Sequence, residues 1–132
     1  MVLSTISLDT SAYSAFMRGE TAAKDVLQRV DHILLSQIVI GELAFGFARG
    51  RFPQKNWQEL YRFLDSPRVQ VVDIDFDTAL HYAQVLAQLQ KNGTPIPTND
   101  IWLAASTIRH AAALVTSDHH FARVDGLMRH ML

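Results

Sequence analysis

The stretch His32-Ile33-Leu34-Leu35-Ser36-Gln37-Ile38-Val39-Ile40-Gly41-Glu42-Leu43 decides how the rest of the chain is read. Its first half is a short apolar run of strand length, and Ser36 then stands where a helix needs a cap. Beyond Ser36 the residues up to Arg49 are nearly all apolar, with the Glu42 carboxylate among them. Buried carboxylates are expensive unless paired or bound to a metal, whereas an acid on an exposed helix edge costs almost nothing. A strand running directly into a helix that carries an acid in its second turn is the unit to look for elsewhere.

Three further runs have the same form. Val2 to Leu8 is short, rich in β-branched residues and stopped by Asp9-Thr10-Ser11, a turn able to cap a helix. Arg68 to Ile74 lies between Ser66-Pro67 and Asp75, and Ala112 to Thr116 ends at Ser117-Asp118. Helical periods fill the intervals. Trp57, Leu60, Tyr61 and Leu64 keep one, and Ala79, Leu80, Ala83, Leu86 and Ala87 keep another that Asn92-Gly93 terminates. Pro95 and Pro97 punctuate a loop, after which Thr98 is placed to cap a helix from Asn99 to about His110. Short buried strands alternating with helices predict an α/β fold, a mainly parallel sheet with helices on both faces. Ligands of such sheets collect at the carboxyl ends of the strands.

Composition narrows the function. The chain has 132 residues, the length of one ordinary domain, so 1–132 reads as a single unit. It has no cysteine, which excludes thiolate metal sites and cysteine nucleophiles and fits a reducing cytoplasm. No apolar run approaches a membrane span, and the N-terminus lacks the basic start of a signal peptide. A net charge of −1 advertises no general affinity for nucleic acid. Arg49, Arg51, Lys55 and Arg62 do cluster, either as a solvated face or as a track for phosphates.

Asp9, Glu42, Asp100 and Asp118 stand at or just beyond strand ends and helix starts. Each has an ordinary explanation: a turn acid, a helix-edge acid, a partner of the helix dipole, a cap. Together they are harder to dismiss. All flank apolar elements, and none has an adjacent Lys or Arg. Carboxylates gathered without a cation raise one another's pKa, and a divalent ion removes that penalty. Oxygen ligands select Mg²⁺ or Mn²⁺ over Zn²⁺, which directs attention to phosphoryl or phosphodiester chemistry. His119 and His120 follow Asp118, and as neighbours at most one of them points toward these acids.

The segments Leu8-Asp9-Thr10-Ser11, Ser36 to Leu43, Pro97-Thr98-Asn99-Asp100-Ile101-Trp102-Leu103-Ala104-Ala105 and Leu114-Val115-Thr116-Ser117-Asp118-His119-His120-Phe121 resemble the PIN domain, and more closely the VapC toxins of toxin–antitoxin pairs. The likeness spans nearly the whole chain. It implies a three-layer α/β/α PIN-like fold and an acidic Mg²⁺ site that hydrolyses RNA, with Mn²⁺ as a substitute, to a 5′-phosphate and a 3′-hydroxyl. Asp9, Glu42, Asp100 and Asp118 match the family's catalytic and metal-binding acids. Thr10 or Ser11 and Thr116 match supporting hydroxyls. The resemblance also implies a VapB-type antitoxin and contact with promoter DNA only through that antitoxin. Phe45, Phe47, Phe52, Trp57 and Tyr61 crowd two adjacent helices, which suggests a homodimer or antitoxin surface. Arg49, Arg51 and Lys55 are candidates for guiding RNA.

Two departures stand out. His110-Ala111-Ala112-Ala113 lacks a glycine often found at that turn, and the chain soon after Gly126-Leu127 leaves room only for a final strand that is short or poorly formed. Other phosphoryl hydrolases fit less well. A haloacid dehalogenase-type phosphatase needs an Asp where Ser11 stands, and a receiver domain needs a late Lys, yet none follows Lys91. A non-catalytic PIN-like module binding RNA or a protein is the other alternative, and the complete acidic set argues against it.

Overall fold

The computed structural model describes residues 4–132. Its elements alternate as expected: β1 (Thr5–Leu8), α1 (Thr10–Met17), α2 (Thr21–Gln28), β2 (His32–Ser36), α3 (Gln37–Arg49), α4 (Pro53–Leu64), β3 (Val69–Val72), α5 (Phe76–Asn92), α6 (Thr98–Arg109), β4 (Ala113–Thr116), a 3₁₀ turn (His119–Arg123) and β5 (Met128–Met131). Val2 and Leu3 of the expected first strand lie outside the described residues. The strands form one sheet in the order β3-β2-β1-β4-β5, every pair parallel. Six helices flank it in a three-layer α/β/α arrangement. None of the described helices is long and apolar enough to cross a membrane.

The strand pattern follows from burial. β1 and β4 are central and covered on both faces, so Ile6, Leu8, Leu114 and Val115 are fully buried and no polar alternation appears. The edges differ: β3 alternates exposed and covered positions, and β5 carries Arg129 and His130. Charged side chains on an edge discourage pairing with another chain. The final strand is short but well formed, with Ala113 to Thr116 registered against Met128 to Met131.

Strand order reverses between β1 and β4. The chain first moves outward from β1 to β2 and β3, then crosses back through α5 and α6 to β4 on the other side of β1. Such a reversal leaves a crevice at the carboxyl ends of the two central strands. Asp9 follows β1 and Asp118 lies just beyond β4, so both acids flank this crevice.

Local signals explain the helix ends, with one correction. Ser36 caps α3, its Oγ accepting the N–H of Ile38 at 3.2 Å. Gly93 closes α5 at φ +67°, a left-handed conformation that glycine adopts without strain. The helix expected to be capped by Thr98 is instead entered through Pro97, whose carbonyl accepts the N–H groups of Asp100 and Ile101. Thr98 is already helical and makes no side-chain cap. The fixed φ of proline sets the chain up for the first turn. The missing glycine near residue 111 is visible too: Ala111 sits at φ +51°, where a Cβ is unfavourable.

Candidate functional site

Asp9 is the N-cap of α1 and almost fully buried. A buried carboxylate survives when donors surround it, and here they do. Its Oδ1 accepts the Ala12 N–H at 2.8 Å and the Ser11 hydroxyl at 2.6 Å. Its Oδ2 accepts the Thr116 hydroxyl from the end of β4. Thr116 in turn accepts the Asp118 N–H at 2.9 Å, and Ser11 Oγ accepts the Ser117 N–H at 3.2 Å. The ends of β1 and β4 are thus laced together by two hydroxyls across the switch point. Ser11 and Thr116 are supporting hydroxyls to Asp9.

Thr10 serves a different acid. Its hydroxyl donates to Glu42 Oε1 at 2.9 Å, tying α1 to α3. Glu42 is half-buried, between Val39 and Leu43 on the core side and exposed Phe45 and Arg49 on the outer side. The apolar stretch around it is therefore the anchoring face of α3, and Glu42 sits at its margin. Arg49 stands over the Phe45 ring at 5.2 Å, on the solvent side.

Asp100 lies in the first turn of α6, half-buried. That helix packs closely because Ile101, Leu103, Ala104 and Ala105 are buried. A buried bond of 2.7 Å between the Ser7 and Thr107 hydroxyls pins it to β1. Asp100 receives no hydroxyl donor among the described residues. Its carboxyl is held above the ordinary value of 3.8: burial raises it most, the His120 ring opposes that, and the carboxylates of Glu42 and Asp118 add to it. Asp100 therefore feels the charges of both Glu42 and Asp118.

Asp118 caps the 3₁₀ turn through Oδ1, which accepts the His120 N–H at 3.1 Å. The turn aims His120 inward while His119 stays exposed. The His120 ring lies between two acids, with Nε2 at 2.7 Å from Asp100 Oδ2 and Nδ1 at 2.9 Å from Asp118 Oδ1. Nε2 is shielded from solvent and, despite that short distance, has no aligned hydrogen-bond partner among the described residues. The contact is a close imidazole–carboxylate pair that opposes the upward shift of Asp100.

Asp100, Asp118 and His120 each offer a donor atom within 4.8 Å of the others, a grouping able to hold a metal ion. Asp9 and Glu42 are outside that triad but bound to its frame, Asp9 through Thr116 and Glu42 through its charge on Asp100. Sequence reasoning collected the four acids and missed His120 as the residue joining two of them. Only the geometry of the 3₁₀ turn distinguishes His120 from His119. The basic candidates Arg49, Arg51 and Lys55 are all exposed and outside this cluster. Of the crowded aromatics, Phe47 and Trp57 pack on the core, whereas Phe45, Phe52 and Tyr61 are each at least 60% exposed.

Comparison with known proteins follows the same outline. The PIN domain family matches residues 6–127. Ribonuclease VapC2 of Haemophilus influenzae is 30% identical over 101 residues, covering 76% of this chain and 75% of that protein. The tRNA(fMet)-specific endonuclease VapC of Salmonella typhimurium is 29% identical over 94 residues, or 70% of each chain. Among solved structures, VapBC2 of Rickettsia felis bound to a promoter DNA fragment superposes with a TM-score of 0.86 at 24% identity, covering 97% of this chain and 98% of that one. VapBC-1 of nontypeable Haemophilus influenzae gives 0.83 at 25% identity, covering 96% and 97%. With the fold, the order of the acids and these relatives in agreement, the chain belongs to the PIN domain family, in its VapC group.

Proposed function

We propose that the protein is a metal-dependent endoribonuclease, the toxin of a VapBC-type pair acting in the cytoplasm. The observation that carries this reading is the meeting of Asp100, Asp118 and His120 beside Glu42 at the β1/β4 switch point. It is supported by relatives that are named ribonucleases and by neighbours solved as VapBC complexes.

The residues fit a divalent cation. Burial and two neighbouring acids raise the pKa of Asp100 above its ordinary value, a penalty that a cation removes. Asp9, Asp100 and Asp118 would hold Mg²⁺, with Mn²⁺ able to replace it. When bound, such an ion supplies positive charge that neutralises the phosphodiester and lowers the pKa of water. Glu42, fixed through one oxygen by Thr10, keeps its second oxygen to orient a water and take its proton. Attack of that water on phosphorus in line with the 3′-oxygen breaks the P–O3′ bond, and the departing 3′-oxygen takes a proton from solvent, leaving a 5′-phosphate and a 3′-hydroxyl. Ser11 and Thr116 hold Asp9 in a fixed orientation, so that its position is set before any substrate arrives.

Arg49, Arg51 and Lys55 are assigned to steering the RNA backbone. Arg49 lies about 10 Å of helix rise from Glu42, within reach of phosphates flanking the one cleaved. Exposed Phe45, Phe52 and Tyr61 form the surface proposed for a VapB-type antitoxin or for a homodimer, and promoter DNA is contacted through the antitoxin.

The test is cleavage of structured RNAs by protein purified free of partners, with Mg²⁺ or Mn²⁺ titrated. Wild type cleaves only with metal, and an Asp9→Ala, Asp100→Ala double variant does not. Equal residual cleavage by both proteins would remove the nuclease assignment.

A further inference from the structure

The ring of His120 is largely buried between two carboxylates. Its backbone N–H is bound to Asp118 Oδ1 at 3.1 Å, and its ring centroid lies 4.7 Å from that of Phe121, which is itself fully buried. The orientation is therefore set by the turn and by packing. Both nitrogens face carboxylates from different elements, Asp100 of α6 and Asp118 after β4. Nε2 is shielded from solvent and lies 2.7 Å from Asp100 Oδ2. Two atoms able to bind a metal, one nitrogen and one oxygen, thus stand side by side. Neighbouring His119 shares none of these features and is exposed.

We propose that His120 is a direct ligand of the cation bound at this site, giving a mixed nitrogen and oxygen donor set of Asp100, Asp118 and His120 that prefers a first-row transition ion such as Mn²⁺ to Mg²⁺. This rests on the metal-site reading above and revises its chemistry. Mg²⁺ binds through oxygen and surrenders water reluctantly, whereas imidazole suits the transition ions. The three donor atoms lie within 4.8 Å of one another, close to the spread that one ion with bonds of about 2.0–2.2 Å would require. The oxygen-only set expected from the four acids thus gains a nitrogen that the 3₁₀ turn delivers.

Pulsed electron paramagnetic resonance on the Mn²⁺-loaded, partner-free protein reads this directly. The spin echo of the wild type should carry ¹⁴N modulation from a coordinated imidazole. That modulation should vanish in His120→Gln and persist in His119→Gln. In Mg²⁺ competition, the preference for Mn²⁺ should fall about tenfold in His120→Gln. Bound Mn²⁺ in the wild type without ¹⁴N modulation overturns the role of His120 and leaves the acidic site standing. Modulation that survives in His120→Gln does the same. The wild-type spectrum decides even if the variant folds poorly. Failure of the wild type to bind Mn²⁺ overturns both readings, and binding unaffected by Asp100→Asn overturns the acidic site itself.

Discussion

The two sides of the crevice treat their acids in opposite ways. Asp9 is the more deeply buried, yet its two oxygens receive an amide and two hydroxyls. Asp100 is better exposed, receives no hydroxyl, and faces Glu42, Asp118 and one imidazole. Burial alone therefore does not determine which carboxylate is under strain. The number of donors does. Asp9 is tied into the framework by its donors, whereas Asp100 carries an uncompensated charge that the proposed cation would offset.

That contrast is broken most severely by removing each acid in turn. Asp9→Ala and Asp100→Ala should both reduce RNA cleavage by at least about 10³-fold, since each withdraws a charge from the reacting centre. They should part in stability. Asp9→Ala leaves three donors without their acceptor and should lower the stability of the metal-free protein by about 3 kcal/mol in urea unfolding. Asp100→Ala should leave it unchanged or raise it. Comparable losses in both would erase the distinction.

The lacing is next. Thr116→Val removes the hydroxyl that joins Asp9 to the Asp118 amide. Cleavage should drop about 10–100-fold, the usual effect of losing an outer partner of a ligand. Urea unfolding should show a loss of about 2 kcal/mol, because the lost bond is to a charged acceptor.

A pH series sharpens the same point for Asp100. Its folded pKa is raised above 3.8, so the folded metal-free protein binds this proton more tightly than the unfolded chain. The stability this contributes is fully present below about pH 3.8 and is lost as pH rises through the raised value. Asp100→Asn, which does not titrate, should melt a few degrees above the wild type at neutral pH. The gap should close toward pH 3.5. A gap that widens in acid would mean that Asp100 is stabilising when charged.

The smallest effect lies away from the site. Ala111→Gly relieves a left-handed φ of +51° and should add about 1 kcal/mol without changing cleavage. It separates strain at a turn from strain in the crevice.

Much of this was legible in the residues, for physical reasons that differ by element. β2 could be bounded at His32 and Ser36 because a buried strand and a cap leave distinct signals, and the four acids were found because they punctuate such units. α2 escaped notice: Thr21 to Gln28 is mostly polar, and only Ala23, Val26 and Leu27 are buried. The entry to α6 was misplaced because Thr98 looks like a cap, while Pro97 performs the task through its carbonyl. The division of labour between Asp9 and Asp100 is invisible in sequence, since it depends on hydroxyls that arrive from Ser11 and, over a hundred residues later, Thr116. His120 was ambiguous for a related reason, as a two-residue choice settled by the local turn.

The most direct measurement is the thermal unfolding of the partner-free protein with Mn²⁺ and with Mg²⁺, beside an Asp100→Ala, Asp118→Ala variant. A ligand at one hundred times its Kd stabilises by about 2.7 kcal/mol, which for a chain of this length is on the order of 10 °C in Tm. The wild type should show that rise with a saturable dependence on the ion, and the variant should lose it. A wild type indifferent to both ions, or a variant that responds as fully, would contradict the claim that these acids are assembled to hold a cation.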